Sequence, residues 1–297
     1  MKILITGATT ASAEYIYNCL SNQSFELILS DSAPLVGEKF IRIPSFVDPA
    51  FAHKILTTCL DNQISAVIPL LSEEVKLLAQ AKMLFGEYGV KILAPDKKVL
   101  DIITSSAQLY TFFNHRKVKV PAFKRVMRFE EISKALISLG YPSQKVKIQP
   151  DNNNNNNNNG LQQLIVDDQV STDNLLFPDT AKPLINFELL NRILKKDDFS
   201  PIVLSEYSES ELFNVHVLAE NGAVVKFTRQ NEEGALVSGL VEHITKELDL
   251  DGYFILTFQP TANVIQLVAI NHLLQGSSKI TDLNFPLLYL NKELALI

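Results

Sequence analysis

Three glutamates crowd one short stretch of this chain, Glu206, Glu209 and Glu211, with Tyr207 among them. Carboxylates at such a bend can accept hydrogen bonds from the edge of a flat ligand. A solvated acidic turn of a hairpin has the same composition. Cations that could meet an anion are Lys145 and Lys147, two apart and so on one strand face, and Arg229. Asn271-His272 offers an amide oxygen and an imidazole near the end of the chain. Glu73 and Glu74 stand together after Ser72 and read as the acidic first turn of a helix capped by that serine. Ser208, Ser210, His216 and Glu211 have no spacing that makes a nucleophile triad.

The elements that must hold these residues follow from apolar periodicity. Val203-Leu204 precedes the acidic bend, and Leu212–Leu218 resumes near-alternation, so the bend joins two strands. KVKIQP at 145–150 reads as a strand. Asn221-Gly222 marks a hairpin turn into a strand at 223–228, with Arg229 just beyond it. Residues 253–258 and 264–270 form a last strand pair, with Asn271 at its end. Helices are expected at 51–59, 75–88, 95–113 (as a pair), 130–139, 186–194 and 236–248. Eight consecutive asparagines, 152–159, follow Asp151. They are either a low-complexity insert or a stretch whose true residues stand undetermined.

The N-terminus reads strand, Gly7 turn, helix, and a second strand ending at Ser30-Asp31. A dinucleotide-binding reading exists here, with Asp31 placed to take a ribose. It is a weak signal, because the second and third glycines of that fingerprint would fall on Thr9 and Ser12, whose side chains crowd a pyrophosphate.

The bend at Glu206-Tyr207 through Glu211, followed by a hydrophobic strand, resembles the hinge of the ATP-grasp superfamily, with Ser210 where that family has glycine. The similarity is greatest to the carbamoyl-phosphate synthase large-subunit type and runs over nearly the whole chain. It includes I-P-x-x-x-E-E at 68–74, Val120-Pro121, the strand 145–150 and Asn284-Phe-Pro286. The resemblance implies an α/β and α+β fold: a Rossmann-like lobe of about 1–118, then two nucleotide lobes of about 119–200 and 201–297, with no further C-terminal domain. It also implies ATP-dependent joining of a carboxylate to an amine through an acyl phosphate. ATP and Mg²⁺ are the implied cofactors. Glu206 and Tyr207 would hold the adenine edge, Glu211 the ribose, Arg229 a phosphate or the acceptor substrate, and Asn271 the metal. The family's phosphate-reaching lysine falls on Gln149, which carries no charge; Lys147 is the nearby candidate to replace it, although it and Lys145 read first as solvent-facing charges. Its D-K pair falls on Ser105-Ser106 and its second arginine near Asn231. Its metal-binding Glu and following Arg fall on Ala269 and Leu273, and the carboxylate or Gln on the preceding strand falls on Thr257. No Asp or Glu lies between Tyr253 and Asp282. Magnesium needs hard oxygen ligands, usually including a carboxylate. The expectation is therefore a retained nucleotide cleft with weak or lost catalysis. An active Mg–ATP ligase and an NAD(P)-binding oxidoreductase stand as alternatives.

Composition bounds the rest. The 297 residues suffice for several lobes, and 46% hydrophobic content is ordinary for a globular chain. A net charge of −6 without a basic block argues against nucleic acid as the main partner. Two cysteines, Cys19 and Cys59, make no disulfide framework or metal spacing. The start MKILITGA makes a poor signal peptide, and no apolar run reaches membrane-span length, so a cytoplasmic protein with no membrane contact is expected. The expected ligand is a small-molecule nucleotide. The acceptor substrate is unknown, and a protein partner or homo-oligomer fits a chain that has lost its chemistry.

Overall fold

The structure, a computed structural model, describes residues 1–34, 39–152, 163–168, 183–195, 198–229, 235–262, 264–272 and 284–294. Most of the asparagine run (153–159), Asn231 and Leu273 lie outside the described residues.

The N-terminal sequence alternates strands and helices: β1 (Lys2–Ile5), α1 (Ala11–Leu20), β2 (Glu26–Asp31), β3 (Phe40–Arg42), α2 (Phe51–Asp61), β4 (Ile64–Ile68), α3 (Ser72–Glu87) and β5 (Lys91–Ile92). They make a five-stranded sheet in the order β3-β2-β1-β4-β5, and every recorded pairing is parallel. Parallel strands need crossover helices, and the near-continuous apolar runs of β1 and β4 suit burial on both faces. Ile3, Ile5, Ile16, Leu20 and Ile68 centre the core. Two short helices follow, α4 (Lys97–Ile103) and α5 (Ser106–Phe113).

Next come β6 (Phe123–Val126), α6 (Phe129–Ser138), β7 (Val146–Pro150), β8 (Leu164–Val166), β9 (Leu184–Ile185), α7 (Phe187–Leu194) and β10 (Ile202–Glu206). The strands pair as β6-β10-β7-β8-β9, mostly antiparallel. Val146, Ile148 and Leu204 point to one face and pack with Ile132 and Leu136 of α6. The chain ends with β11 (Phe213–Glu220), β12 (Ala223–Arg229), α8 (Ala235–Glu247), β13 (Gly252–Pro260), β14 (Ile265–Asn271) and α9 (Phe285–Glu293). Its four strands run β12-β11-β13-β14. Asn221 and Gly222 both take positive φ, +46° and +75°, which the tight β11–β12 turn requires.

Two compact units result. One holds 1–100, 214–256 and 270–297; the other holds 101–213 and 257–269. In the first, α9 completes the N-terminal core: Phe285, Tyr289 and Leu290 pack with Ile16 and Leu20, and the Asn284 amide donates to the Cys19 carbonyl at 2.7 Å.

Two sequence expectations need correction. The residue at the α3 N-cap is Leu71, and it makes no side-chain cap bond; Ser72 is already helical. Lys147 is not a solvent-facing charge: it is 7% exposed.

Candidate functional site

Strand β7 has two faces, and the one away from α6 is polar. Lys147 and Gln149 lie on it, and Ser205 of β10 stands directly across from Lys147. Gln149 and Ser205 are 3% and 0% exposed. The Gln149 amide donates to Ser106 Oγ at 2.7 Å, leaving its buried Oε1, like Ser205 Oγ, without a partner among the described residues. The Lys147 ammonium has no anionic partner among the described residues, and burial depresses it to about 8. Three polar groups on one sheet face, each short of a partner, are uncommon in a folded interior.

The same strand ends in a pin. Ser105 Oγ and Ala107 N–H donate to Asp151 Oδ1 at 2.8 and 3.0 Å, and Arg125 Nε donates to Oδ2 at 2.6 Å. Ser105 also caps α5, accepting from Gln108 N–H at 3.1 Å. Where the resembled family has its D-K pair and phosphate lysine, Ser105, Ser106, Gln149 and Asp151 thus fasten α5 to β7. Spacing alone could not show this, because the partners lie more than 40 residues apart.

The hinge is the loop between β10 and β11. Glu206 accepts from Gln266 Nε2 at 2.7 Å. Gln259 Nε2 donates to the carbonyls of Ser208 and Ser210 at 3.1 and 3.0 Å, so β13 and β14 hold the bend. Glu209 takes the Lys145 ammonium at 3.2 Å, and Lys145 also lies 3.4 Å from Asp167. These partners raise the Lys145 pKa, the Glu209 hydrogen bond most. Tyr207 is half-buried and Glu211 is exposed. The main-chain groups of Tyr207 take no partner among the described residues, so they can serve the edge of a planar ligand. A cavity of about 420 Å³ opens beside Glu206, lined also by Lys117, Lys119, Pro121 and Phe123.

Lys147, Glu206, Tyr207 and Glu211 therefore all belong to the second unit; Arg229 and Asn271 belong to the first. Arg229 ends β12, its backbone opposite Val215. Asn271 ends β14, half-buried. His272 follows with a buried Nε2, and burial, aided by Lys76, pushes its pKa down to about 4. Thr257, Ala269 and Asn271 offer a hydroxyl, a methyl and an amide. Among the described residues no three His, Cys, Asp or Glu side chains gather as metal ligands would. None of the side chains of Thr257, Ala269 and Asn271 is a carboxylate, the ligand Mg²⁺ usually takes.

The N-terminal candidates are also occupied. Asp31 accepts from Thr9 N–H and Oγ1 at 3.1 and 2.9 Å, and from Ala33 N–H at 3.0 Å. Burial alone would raise Asp31, but these bonds outweigh it and hold the carboxyl below its usual range. The carboxylate a ribose would need is thus already satisfied from within the loop. A Cβ on Gly7, whose φ is +65°, would come within 3.1 Å of Leu71. Glu74 points inward, not along the helix end: it is 2% exposed and accepts a short hydrogen bond from Thr6 Oγ1. Burial pushes its carboxyl up to about 7.

Residues 3–93 match the family described as PylC-like, N-terminal domain. No curated protein matches the sequence. Solved structures match over nearly the whole chain. L-amino acid ligase from Bacillus licheniformis shares 12% identity at a TM-score of 0.69, covering 99% of this chain and 74% of that one. The biotin carboxylase domain of Hydrogenobacter thermophilus 2-oxoglutarate carboxylase, solved with MgADP, ADP and bicarbonate, shares 14% at 0.69, covering 98% and 68%. A RimK-domain ATP-grasp protein from Sphaerobacter thermophilus shares 14% at 0.58, covering 93% and 92%. At these identities the likeness is one of fold. The chain has the two-lobed ATP-grasp fold, preceded by a lobe built on a parallel sheet. Among the described residues no helix is long and apolar enough to cross a membrane.

Proposed function

We propose that this chain is a cytoplasmic nucleotide-binding protein in which ATP-dependent carboxylate–amine ligation has become weak or been lost. The observation that carries the reading is the donor set: Thr257, Ala269 and Asn271 where a metal clamp would stand, with Gln149 hydrogen-bonded to Ser106 instead of reaching a phosphate. Charge neutralisation by metal and cation dominates phosphoryl transfer, so losing it costs far more rate than losing a binding contact. The fold shared with a ligase and with a MgADP-bound carboxylase domain supports the nucleotide part of the proposal.

In this reading the lobes are 1–118, 119–200 and 201–297. Glu206 and Tyr207 hold the adenine edge, Tyr207 through its main-chain groups, and Glu211 takes the ribose. Lys147 supplies the cation that Gln149 cannot. Arg229 meets phosphate or acceptor substrate, and Asn271 is the remaining metal-side ligand. A nucleotide held without turnover suits a binding subunit, acting on a protein partner or a second copy.

Calorimetric titration of ATP with and without Mg²⁺, on protein whose residues 152–159 have been verified, tests this. Weak binding that is indifferent to Mg²⁺ is expected. Tight, Mg²⁺-dependent binding with turnover, abolished in Asn271→Ala, would establish an active ligase instead.

A further inference from the structure

Among the described residues strand β6 is the end strand of its sheet, paired with β10 alone. The Glu206 N–H donates to the Ala122 carbonyl, which fixes the phase of that antiparallel ladder. Lys124 and Val126 share its phase, so their main-chain groups turn toward β10. Those of Phe123 and Arg125 turn outward, and no hydrogen bond to them occurs among the described residues. The edge is therefore a short bare ladder of two donors and two acceptors.

Beside it, between β6 and α6, lies a cavity of about 580 Å³. Its charged lining is Lys124, Arg125, Arg128 and Lys134 against Glu130 and Glu131. Glu131 is taken by Arg128, at 2.9 Å, and by Met127 N–H, at 3.0 Å. Arg125 holds Asp151 through Nε. Lys124 and Lys134 are exposed and have no ion pair among the described residues. An acidic chain thus carries, at its open strand edge, a local surplus of positive charge. A second copy is a poor occupant, because antiparallel β6–β6 pairing crowds the Lys124 and Arg125 cations of the two copies together.

We propose that the outer edge of β6 and its adjoining cavity bind an extended acidic segment of a partner protein, added to the sheet as a further strand. Main-chain bonds to Phe123 and Arg125 would supply register. Acidic side chains on the α6 side would meet Lys124 and Lys134. This inference is independent of the nucleotide reading.

The test is anisotropy titration of the full chain with a fluorescein-labelled alternating Glu-Val octapeptide. The controls are a Lys-Val octapeptide and a Glu-Val peptide N-methylated on its pairing edge. Binding of the first should weaken with salt. It should fall at least tenfold on N-methylation, and at least tenfold in the double variant Lys124→Glu, Lys134→Glu. In hydrogen exchange the Phe123 and Arg125 amides should gain protection on binding, while those of Lys124 and Val126, already in the ladder, change little. Absence of binding overturns the proposal. So does binding that tolerates N-methylation, which would be simple charge attraction. Equal binding of the Lys-Val peptide, or self-association through β6 in sedimentation, overturns it as well.

Discussion

Replacing Lys147 with Met removes an ammonium that the fold buries without a counter-charge among the described residues. Its pKa falls from the ordinary 10.5 to about 8, and burial is the cause. At about 1.4 kcal/mol for each tenfold change in an ionisation constant, the charged form is destabilised by about 3 kcal/mol in the folded state. Lys147→Met, of similar length, should therefore raise stability at pH 7 by up to that amount, read from urea unfolding and from hydrogen exchange of the β7 amides. Between about 8 and 10.5 the folded lysine is neutral while the unfolded one is still protonated. The unfolded state then binds more protons, so wild-type stability rises with pH across that window. The advantage of the variant should shrink over the same range and nearly vanish above it. The same variant should bind ATP more weakly if the ammonium is held for a phosphate. A variant less stable than wild type at pH 7, or one whose advantage ignores pH, would refute the reasoning.

Glu74 gives the mirror case. Its folded pKa is raised from 4.5 to about 7, so wild-type stability is full below 4.5 and declines as pH rises to 7. Glu74→Gln should be nearly neutral at pH 4 and stabilising by about 2–3 kcal/mol at pH 8 in urea titrations at the two pH values. Asp151→Ala removes three hydrogen bonds, one of them to a half-exposed arginine. A loss of about 2–3 kcal/mol is expected by thermal or urea unfolding, with Asp151→Asn costing less. Asn284→Ala deletes the α9 cap and the bond to the Cys19 carbonyl. It should cost about 1–2 kcal/mol and raise exchange at the α9 amides.

Where local pattern and burial agree, the sequence is readable. The Gly7 turn between β1 and α1, the strands flanking Glu206–Glu211, the turn at Asn221-Gly222 and the helix after Asn186 all appear as expected. Strand β6 escapes notice because FKRV alternates weakly and carries two exposed cations, as edge strands do. Strand β3 has three residues and no buried one. Helix α9 is not among the expected helices; Pro286 occupies its first turn, where its missing N–H costs nothing. The site is less legible than the fold. The hinge acids stand out by type, but nothing local reveals that Lys147 is buried, that Gln149 bonds Ser106, or that Gln259 braces the hinge carbonyls. Each depends on a partner brought close by the fold.

The packing of α9 on α1 also sets an order of events during synthesis. β1, α1 and β2 leave the ribosome well before α9, yet Ile16 and Leu20 share their core with Phe285, Tyr289 and Leu290. A fragment ending at residue 100 contains every strand of the parallel sheet and still lacks these three partners. The nascent chain thus carries part of that apolar surface uncovered until α9 has emerged. The parallel-sheet segment finishes folding only then, a schedule that invites chaperone attention.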